Sequence, residues 1–149
     1  MAELEKGSDK APGGKLVMIV DDDESVRELL TYIVKKEGFG TVGAVDGMEA
    51  LEKVEKVSPD LIVLDLMLPR YGGYEVLRKL QTGPTSRIPI VVITGRYTEK
   101  NTAEMIRQES NVVEFLEKPV KPSVLASLLH RVLATEPPSA GPPSWAEMA

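Results

Sequence analysis

Leu61-Ile62-Val63-Leu64-Asp65-Leu66-Met67-Leu68-Pro69 decides how the chain is read. Four apolar residues run into one carboxylate, and a short apolar step ends at a proline. Bounded by Ser58-Pro59-Asp60 and by Pro69, the run reads as a strand buried on both faces. Asp65 then sits at or just past the carboxyl end of an interior strand. That edge is where open α/β sheets bind ligands. A second reading makes Asp65 a helix cap, although Pro69 and Arg70-Tyr71-Gly72-Gly73 delay the next helix by several residues.

Similar strands recur on both sides. Leu16–Val20, Thr41–Val45 (with Gly43 inside), Ile88–Ile93 and Val112–Leu116 are short and apolar. Helical patterns separate them. Val26, Leu29, Leu30, Ile33 and Val34 follow the i, i+3, i+4, i+7, i+8 rule, and Gly38 ends that helix. Met48, Leu51 and Val54 mark a second helix, ending near Ser58-Pro59. Gly72-Gly73 opens a third, with Val76, Leu77 and Leu80, which Thr82-Gly83-Pro84 breaks. A modest helix over Thr98–Gln108 turns Ala103 and Ile106 inward. Pro122, tolerated in a first turn, starts the last helix. Its stripe of Val124, Leu125, Leu128, Leu129, Val132 and Leu133 is wider than a small core needs. Deep burial explains it, and so does a partner on part of the stripe. His130, inside this helix, reads as a surface or boundary residue and not as a ligand.

Strands alternating with helices predict right-handed crossovers and a parallel sheet with helices on both faces. The expected class is α/β, doubly wound and five-stranded. Residues 1–14 read as a flexible arm, 15–134 as one domain, and 135–149 as a Pro-rich disordered tail or linker, to whose Trp145 no role is assigned.

Composition narrows the function. The 149 residues carry 23 acidic and 18 basic side chains, a formal charge of -5, and no cysteine. Disulfides, thiolate metal sites and cysteine nucleophiles are excluded. Without a basic stripe, direct nucleic-acid binding is not expected. No apolar run reaches the length of a membrane span, and the N-terminus lacks a signal peptide's apolar centre. A cytoplasmic protein away from membranes is the expectation. Neither a G-x-G-x-x-G after a strand nor a G-x-x-x-x-G-K-S/T is present, so no dinucleotide or P-loop site is supported.

In the expected sheet the strand ends bring Asp21-Asp22, Asp65, Thr94 and Lys118 to one edge. Clustered carboxylates repel unless a cation offsets them. Carboxylates, a carbonyl and retained waters are the habit of magnesium. Thr94 can donate a hydroxyl bond, and Lys118 brings a point charge suited to phosphate. Together they outline a phosphoryl-transfer site, with an aspartate as acceptor. Each residue also has a plainer reading. Asp22, Asp23 or Ser25 can cap a helix, the preferred reading for Asp23 and Ser25. Thr94 can be a strand-end hydroxyl, and Lys118 can be solvated. Pro119 after Lys118 can hold a rigid turn, cis included.

Val17-Met18-Ile19-Val20-Asp21-Asp22, the Asp65 strand with Pro69 and Gly73, Val92-Ile93-Thr94-Gly95 and Phe115-Leu116-Glu117-Lys118-Pro119 together resemble the receiver domain of two-component response regulators. The resemblance covers roughly residues 15–134, and its motifs keep the family's order and spacing. It implies the flavodoxin-like strand order 2-1-3-4-5. It implies that Asp65 accepts a phosphoryl group from a phosphohistidine of a histidine kinase or histidine phosphotransfer protein. Asp22, Asp65 and the Met67 backbone carbonyl would ligate Mg2+ directly, and Asp21 through a water. Thr94 and Lys118 would contact phosphoryl oxygens, and Phe115 would turn inward as Thr94 moves. The output face would be the fourth helix, fifth strand and fifth helix, which meets a downstream protein target or pairs two copies.

Departures are few. Tyr71-Gly72 replaces the family's common Met-Asp, and Ser110-Asn111-Val112 its usual Gly-Ala before the last strand. Met67 and Arg96, where the family tunes phosphoryl loss, include no acid or amide to place an attacking water. A non-enzymatic switch with slow self-dephosphorylation is expected. Two alternatives remain at this point. The chain resembles the receiver piece of a larger regulator whose output domain is absent. Asp21-x-Asp23-x-Ser25-Val26 is similar to the first motif of haloacid-dehalogenase-type phosphatases, a reading that leaves Asp65 unexplained.

Overall fold

The computed structural model describes residues 12–68, 72–95, 104, 106, 108, 109 and 111–138. Five strands form one parallel sheet: β1 (Leu16–Val20), β2 (Gly40–Ala44), β3 (Leu61–Asp65), β4 (Ile90–Thr94) and β5 (Val112–Glu117). Their order is β2-β1-β3-β4-β5, the order of a flavodoxin-like doubly wound fold. Helices α1 (Glu24–Lys36), α2 (Gly47–Val57), α3 (Gly73–Leu80) and the C-terminal helix (Pro122–Leu133) join or follow the strands. Among the described residues, no helix is long and apolar enough to cross a membrane.

β3 and β4 are buried at every position. This is why their sequences read as unbroken apolar runs and not as alternations. Successive side chains still go to opposite faces. Val17, Ile19, Val63, Val91 and Ile93 meet Leu30, Ile33 and Val34 of α1 and Leu125, Leu128 and Leu129 of the C-terminal helix. Met18, Val20, Ile62, Leu64 and Val92 meet Val54 of α2, Val76, Leu77 and Leu80 of α3, and Ile106. The reading of Ala103 as inward lies outside the described residues, as does most of the helix expected over 98–108.

Five strand boundaries differ from the periodicity reading, at both ends of β2 and β4 and at the end of β5, and two of them have a clear local reason. β4 begins at Ile90, not Ile88, because Pro89 has no N–H for the ladder; its carbonyl accepts from Ile62 N at 3.0 Å. β2 ends at Ala44 because the Val45 N–H is taken by Glu49 Oε1 at 2.7 Å. That bond lowers the Glu49 pKa, with a smaller contribution from Lys53. Lys53 in turn donates to Gly43 O at 2.6 Å, so α2 covers outward-facing groups of this edge strand.

The helical stripes also divide. Leu29 (48% exposed) and Met48 (44%) do not join the core. In the C-terminal helix Leu125, Leu128 and Leu129 are buried, while Val124 is exposed. His130 is corrected: it is buried, with Nδ1 2.7 Å from Thr135 Oγ1 and Nε2 2.9 Å from Glu37 Oε1.

Candidate functional site

The carboxyl ends of β1, β3, β4 and the turn after β5 meet at one edge. Asp21 follows β1, and its N–H still pairs with Ala44 O of β2 at 3.1 Å, so the strand ladder fixes its backbone. Arg27 Nη1, from α1, donates to Asp21 O at 2.8 Å. The Asp21 side chain is fully buried, and its Oδ1 accepts from Asp23 N at 2.9 Å. Asp23 is the N-cap of α1, with Oδ1 accepting from Val26 N at 3.2 Å. A cap of this kind contributes about 1 kcal/mol. Ser25 lies inside α1 and is not its cap. Asp22, between the two, is exposed.

Asp65 closes β3 and is 2% exposed. Its Oδ1 accepts from Met67 N at 3.0 Å, which holds the loop beyond the strand against the carboxylate. The Met67 side chain itself is exposed. Gly73 opens α3 directly beside this strand end. A Cβ on Gly73 would lie 2.5 Å from Leu66 O and 2.6 Å from Asp65 O, so only glycine fits. Thr94, buried at the end of β4, accepts from Lys118 N through its carbonyl at 2.7 Å. The Lys118-Pro119 peptide is cis. A Cβ on Gly95 would sit 3.2 Å from Lys118 Cδ, so this glycine leaves room for the lysine stem. Phe115 of β5 is half-buried and packs on the α2–α3 side of the sheet.

Lys118 Nζ lies 2.9 Å from Asp21 Oδ2 and 3.3 Å from Asp65 Oδ2. The approach to Asp21 has the distance of an ion pair without hydrogen-bond direction, and Asp21 Oδ2 is a buried oxygen with no hydrogen-bond partner. One cation therefore serves two carboxylates. Burial raises the Asp65 pKa most, and Asp21 adds to it; the Met67 N–H and Lys118 act the other way without cancelling the rise. For Lys118 burial disfavours the charge, but Asp21 and Asp65 outweigh it and the net shift is upward.

A second cation fits this donor set. Asp21, Asp22 and Asp65 each offer one carboxylate oxygen, all within 4.8 Å of one another. The donors are hard oxygens, and Asp21 Oδ2, ion-paired with Lys118 but without a hydrogen bond, is the kind of buried acceptor such an ion or its water would satisfy.

Of the residues singled out from sequence, Asp21, Asp22, Asp65 and Lys118 come together directly. Thr94 is joined to Lys118 through the backbone. Arg96, Pro69 and Tyr71 lie outside the described residues. Sequence reasoning missed Arg27, and it quoted Gly95 within a motif without the space this glycine leaves for Lys118. Arg27 sits four residues after the α1 cap, on the flank facing Gly43, but only the fold shows that it reaches a strand-end carbonyl.

A doubly wound sheet with buried acids and a lysine at the switch-point edge defines the receiver class of signalling domains. The chain belongs to the response regulator receiver domain family, whose sequence model matches residues 17–130. It is 38% identical over 112 residues to the DNA-binding response regulator MtrA of Mycolicibacterium paratuberculosis, covering 74% of this chain and 48% of that protein. It is 34% identical over 119 residues to the alkaline phosphatase synthesis transcriptional regulatory protein PhoP of Bacillus subtilis, covering 80% and 48%. The chain thus spans about half the length of these relatives. Among solved structures it is similar to chemotaxis protein CheY4 of Vibrio cholerae, with TM-score 0.72, 28% identity, and coverage of 79% and 98%. It is also similar to a CheY-like receiver domain protein of Methanospirillum hungatei, with TM-score 0.73, 26% identity, and coverage of 80% and 94%.

Proposed function

We propose that Asp65 accepts a phosphoryl group from a phosphohistidine of a histidine kinase or histidine phosphotransfer protein. The observation that carries this is the Asp65 carboxylate itself: buried, at a strand end, and paired with Lys118 beside two further acids. An Asp65 oxygen attacks phosphorus, the P–N bond breaks, and its electron pair stays on the donor imidazole, which takes up a proton. The products are an aspartyl phosphate and a neutral histidine.

Asp22, Asp65 and the Met67 carbonyl would hold Mg2+, with Asp21 acting through a water. Bound there, the ion would neutralise charge on the transferring oxygens. The other roles belong to the protein. The Met67 N–H orients Asp65. Lys118, already charged and already between the acids, contacts a phosphoryl oxygen. Thr94 donates its hydroxyl to another. The new charge draws Thr94 and Lys118 toward it, and Phe115 follows, which biases a two-state equilibrium of the surrounding face. That face is the segment before β5, β5 itself and the C-terminal helix. Its exposed Val124 and Val113 supply apolar contact for a protein target or a second copy. The domain proper is residues 15–134. Acting through protein contact, it needs no nucleic acid of its own. Met67 and Arg96 stand at the sequence positions where the family tunes phosphoryl loss, and neither is an acid or an amide that could place an attacking water, so the phosphoryl group is lost slowly.

A second reading is favoured by the half-length match to MtrA and PhoP. On it, this receiver governs an output domain carried on the same protein, and DNA contact belongs to that domain. The phosphatase reading has no support from the family match.

Incubation with a phosphorylated histidine phosphotransfer protein tests the proposal, with phosphate-affinity electrophoresis following label from donor to acceptor. Transfer to wild type and none to Asp65→Asn is expected, with decay over minutes or longer once donor is removed. Transfer to Asp65→Asn would overturn the acceptor assignment, and decay within seconds would overturn slow loss.

A further inference from the structure

His130 is a buried titratable group that the phosphoryl site does not use. It lies near the end of the C-terminal helix, and both its ring nitrogens are engaged. Nε2 reaches Glu37, the C-cap of α1, at 2.9 Å. Nδ1 reaches the hydroxyl of Thr135 at 2.7 Å. The ring also packs on Phe39, with centroids 5.0 Å apart. Thr135 follows Ala134, whose left-handed conformation (φ 55) stops the helix. Its N–H donates to His130 O at 3.0 Å. Thr135 is therefore tied to one residue through both backbone and side chain, and it is 7% exposed.

The chain then runs to Gly38. A Cβ on Gly38 would lie 3.1 Å from Pro138 Cγ and 2.6 Å from Pro12 Cγ. Gly38 adopts φ +97 between α1 and β2, so it provides both the turn and the space. The segment entering the domain and the segment leaving it thus meet over one glycine. This meeting point lies at the amino edge of the sheet, and Asp65 lies at the carboxyl edge. Pro137 and Pro138 each fix φ near −65°, which stiffens the departing chain.

We propose that His130 is a positioning residue that sets where the chain leaves the domain. The His130–Thr135 latch, braced on Glu37, turns residues 135–138 back over the end of α1. Whatever follows Pro138 then starts beside Pro12, on the edge opposite the phosphoryl site. Relatives of which the matched segment makes up only about half make such an exit consequential. It would hold a following segment away from Asp65 and leave the face of β5 and the C-terminal helix open to a partner.

The absence of cysteine allows a single nitroxide at Lys35→Cys, an exposed position near the end of α1. The probe is paramagnetic broadening of the amides of Thr135 and Glu136 in the full-length 15N-labelled chain. Strong broadening is expected with Thr135 intact, and it should persist in Thr135→Ser, which keeps the hydroxyl. Most of it should be lost in Thr135→Val. Thr135→Ala, which cannot overpack the site, repeats the comparison should Val fail to fold. A purely structural role for His130 would leave the broadening unchanged. No broadening with Thr135 intact, or undiminished broadening without the hydroxyl, would overturn the latch.

Discussion

The Lys118 ammonium lies 2.9 Å from the carboxylate of Asp21, which is fully buried, and the same nitrogen is 3.3 Å from Asp65. A lysine shared by two acids holds the edge of the sheet together. Its removal leaves two buried carboxylates facing one another. Lys118→Met should therefore cost about 3 kcal/mol in urea unfolding at neutral pH. Adding Asp21→Asn to that variant should recover part of the loss. A variant as stable as wild type would show that the ion pair does not hold the edge.

Asp65 carries a penalty for its position. Its folded pKa is raised, chiefly by burial and then by Asp21, above the ordinary 3.8. For an acid raised in this way, the folded state binds the proton more tightly than the unfolded state. The destabilisation is full above the folded pKa and fades as pH falls from there toward 3.8. In metal-free protein, Asp65→Asn should melt at a higher temperature than wild type at neutral pH. The gap should narrow as the solution is acidified into that window. Melting curves across pH check this, and a gap that widens on acidification would contradict the sign.

Gly73 is where α3 touches the strand that ends in Asp65. A Cβ there meets the carbonyls of Leu66 and Asp65, which are backbone atoms with little freedom to yield. Gly73→Ala should cost about 2 kcal/mol, as overpacking does, despite the better helix propensity of alanine. It should also slow phosphorylation by displacing Asp65. Chemical denaturation and the rate of phosphoryl uptake measure the two effects separately.

Mg2+ binding to the acidic cluster should stabilise the fold. At a concentration one hundred times its Kd, an ion that binds only the folded state contributes about 2.7 kcal/mol, roughly 10 °C in Tm. Asp22 is exposed, so Asp22→Asn should leave the metal-free Tm nearly unchanged. The same variant should lose most of the Mg2+-dependent rise. An equal rise in both proteins would place the ion elsewhere.

The alternation of strands and helices was readable because β3 and β4 are apolar up to their last residues and α1 keeps a helical period, while the order of the strands came from the family resemblance. Strand ends were less readable. The limit of β2 depends on Glu49 reaching back to Val45, and that of β4 on Pro89 lacking a donor. A stripe on a helix names its apolar residues but not the angle at which it meets the sheet. This is why Leu29, Met48 and Val124 face outward although they fit the pattern. Asp21, Asp22, Asp65 and Lys118 could be read together because each ends a strand on one edge. His130 could not, because its partners are a residue 93 positions earlier and a residue beyond the helix end.

The central claim is that Asp65 is the phosphoacceptor. The most direct measurement is intact mass after incubation with a small phosphodonor, with and without Mg2+, on wild type and Asp65→Asn. One added phosphoryl group that requires both Mg2+ and Asp65 is the predicted result. A folded wild type that gains no mass under any condition, or an Asp65→Asn variant that gains the same mass, would contradict it.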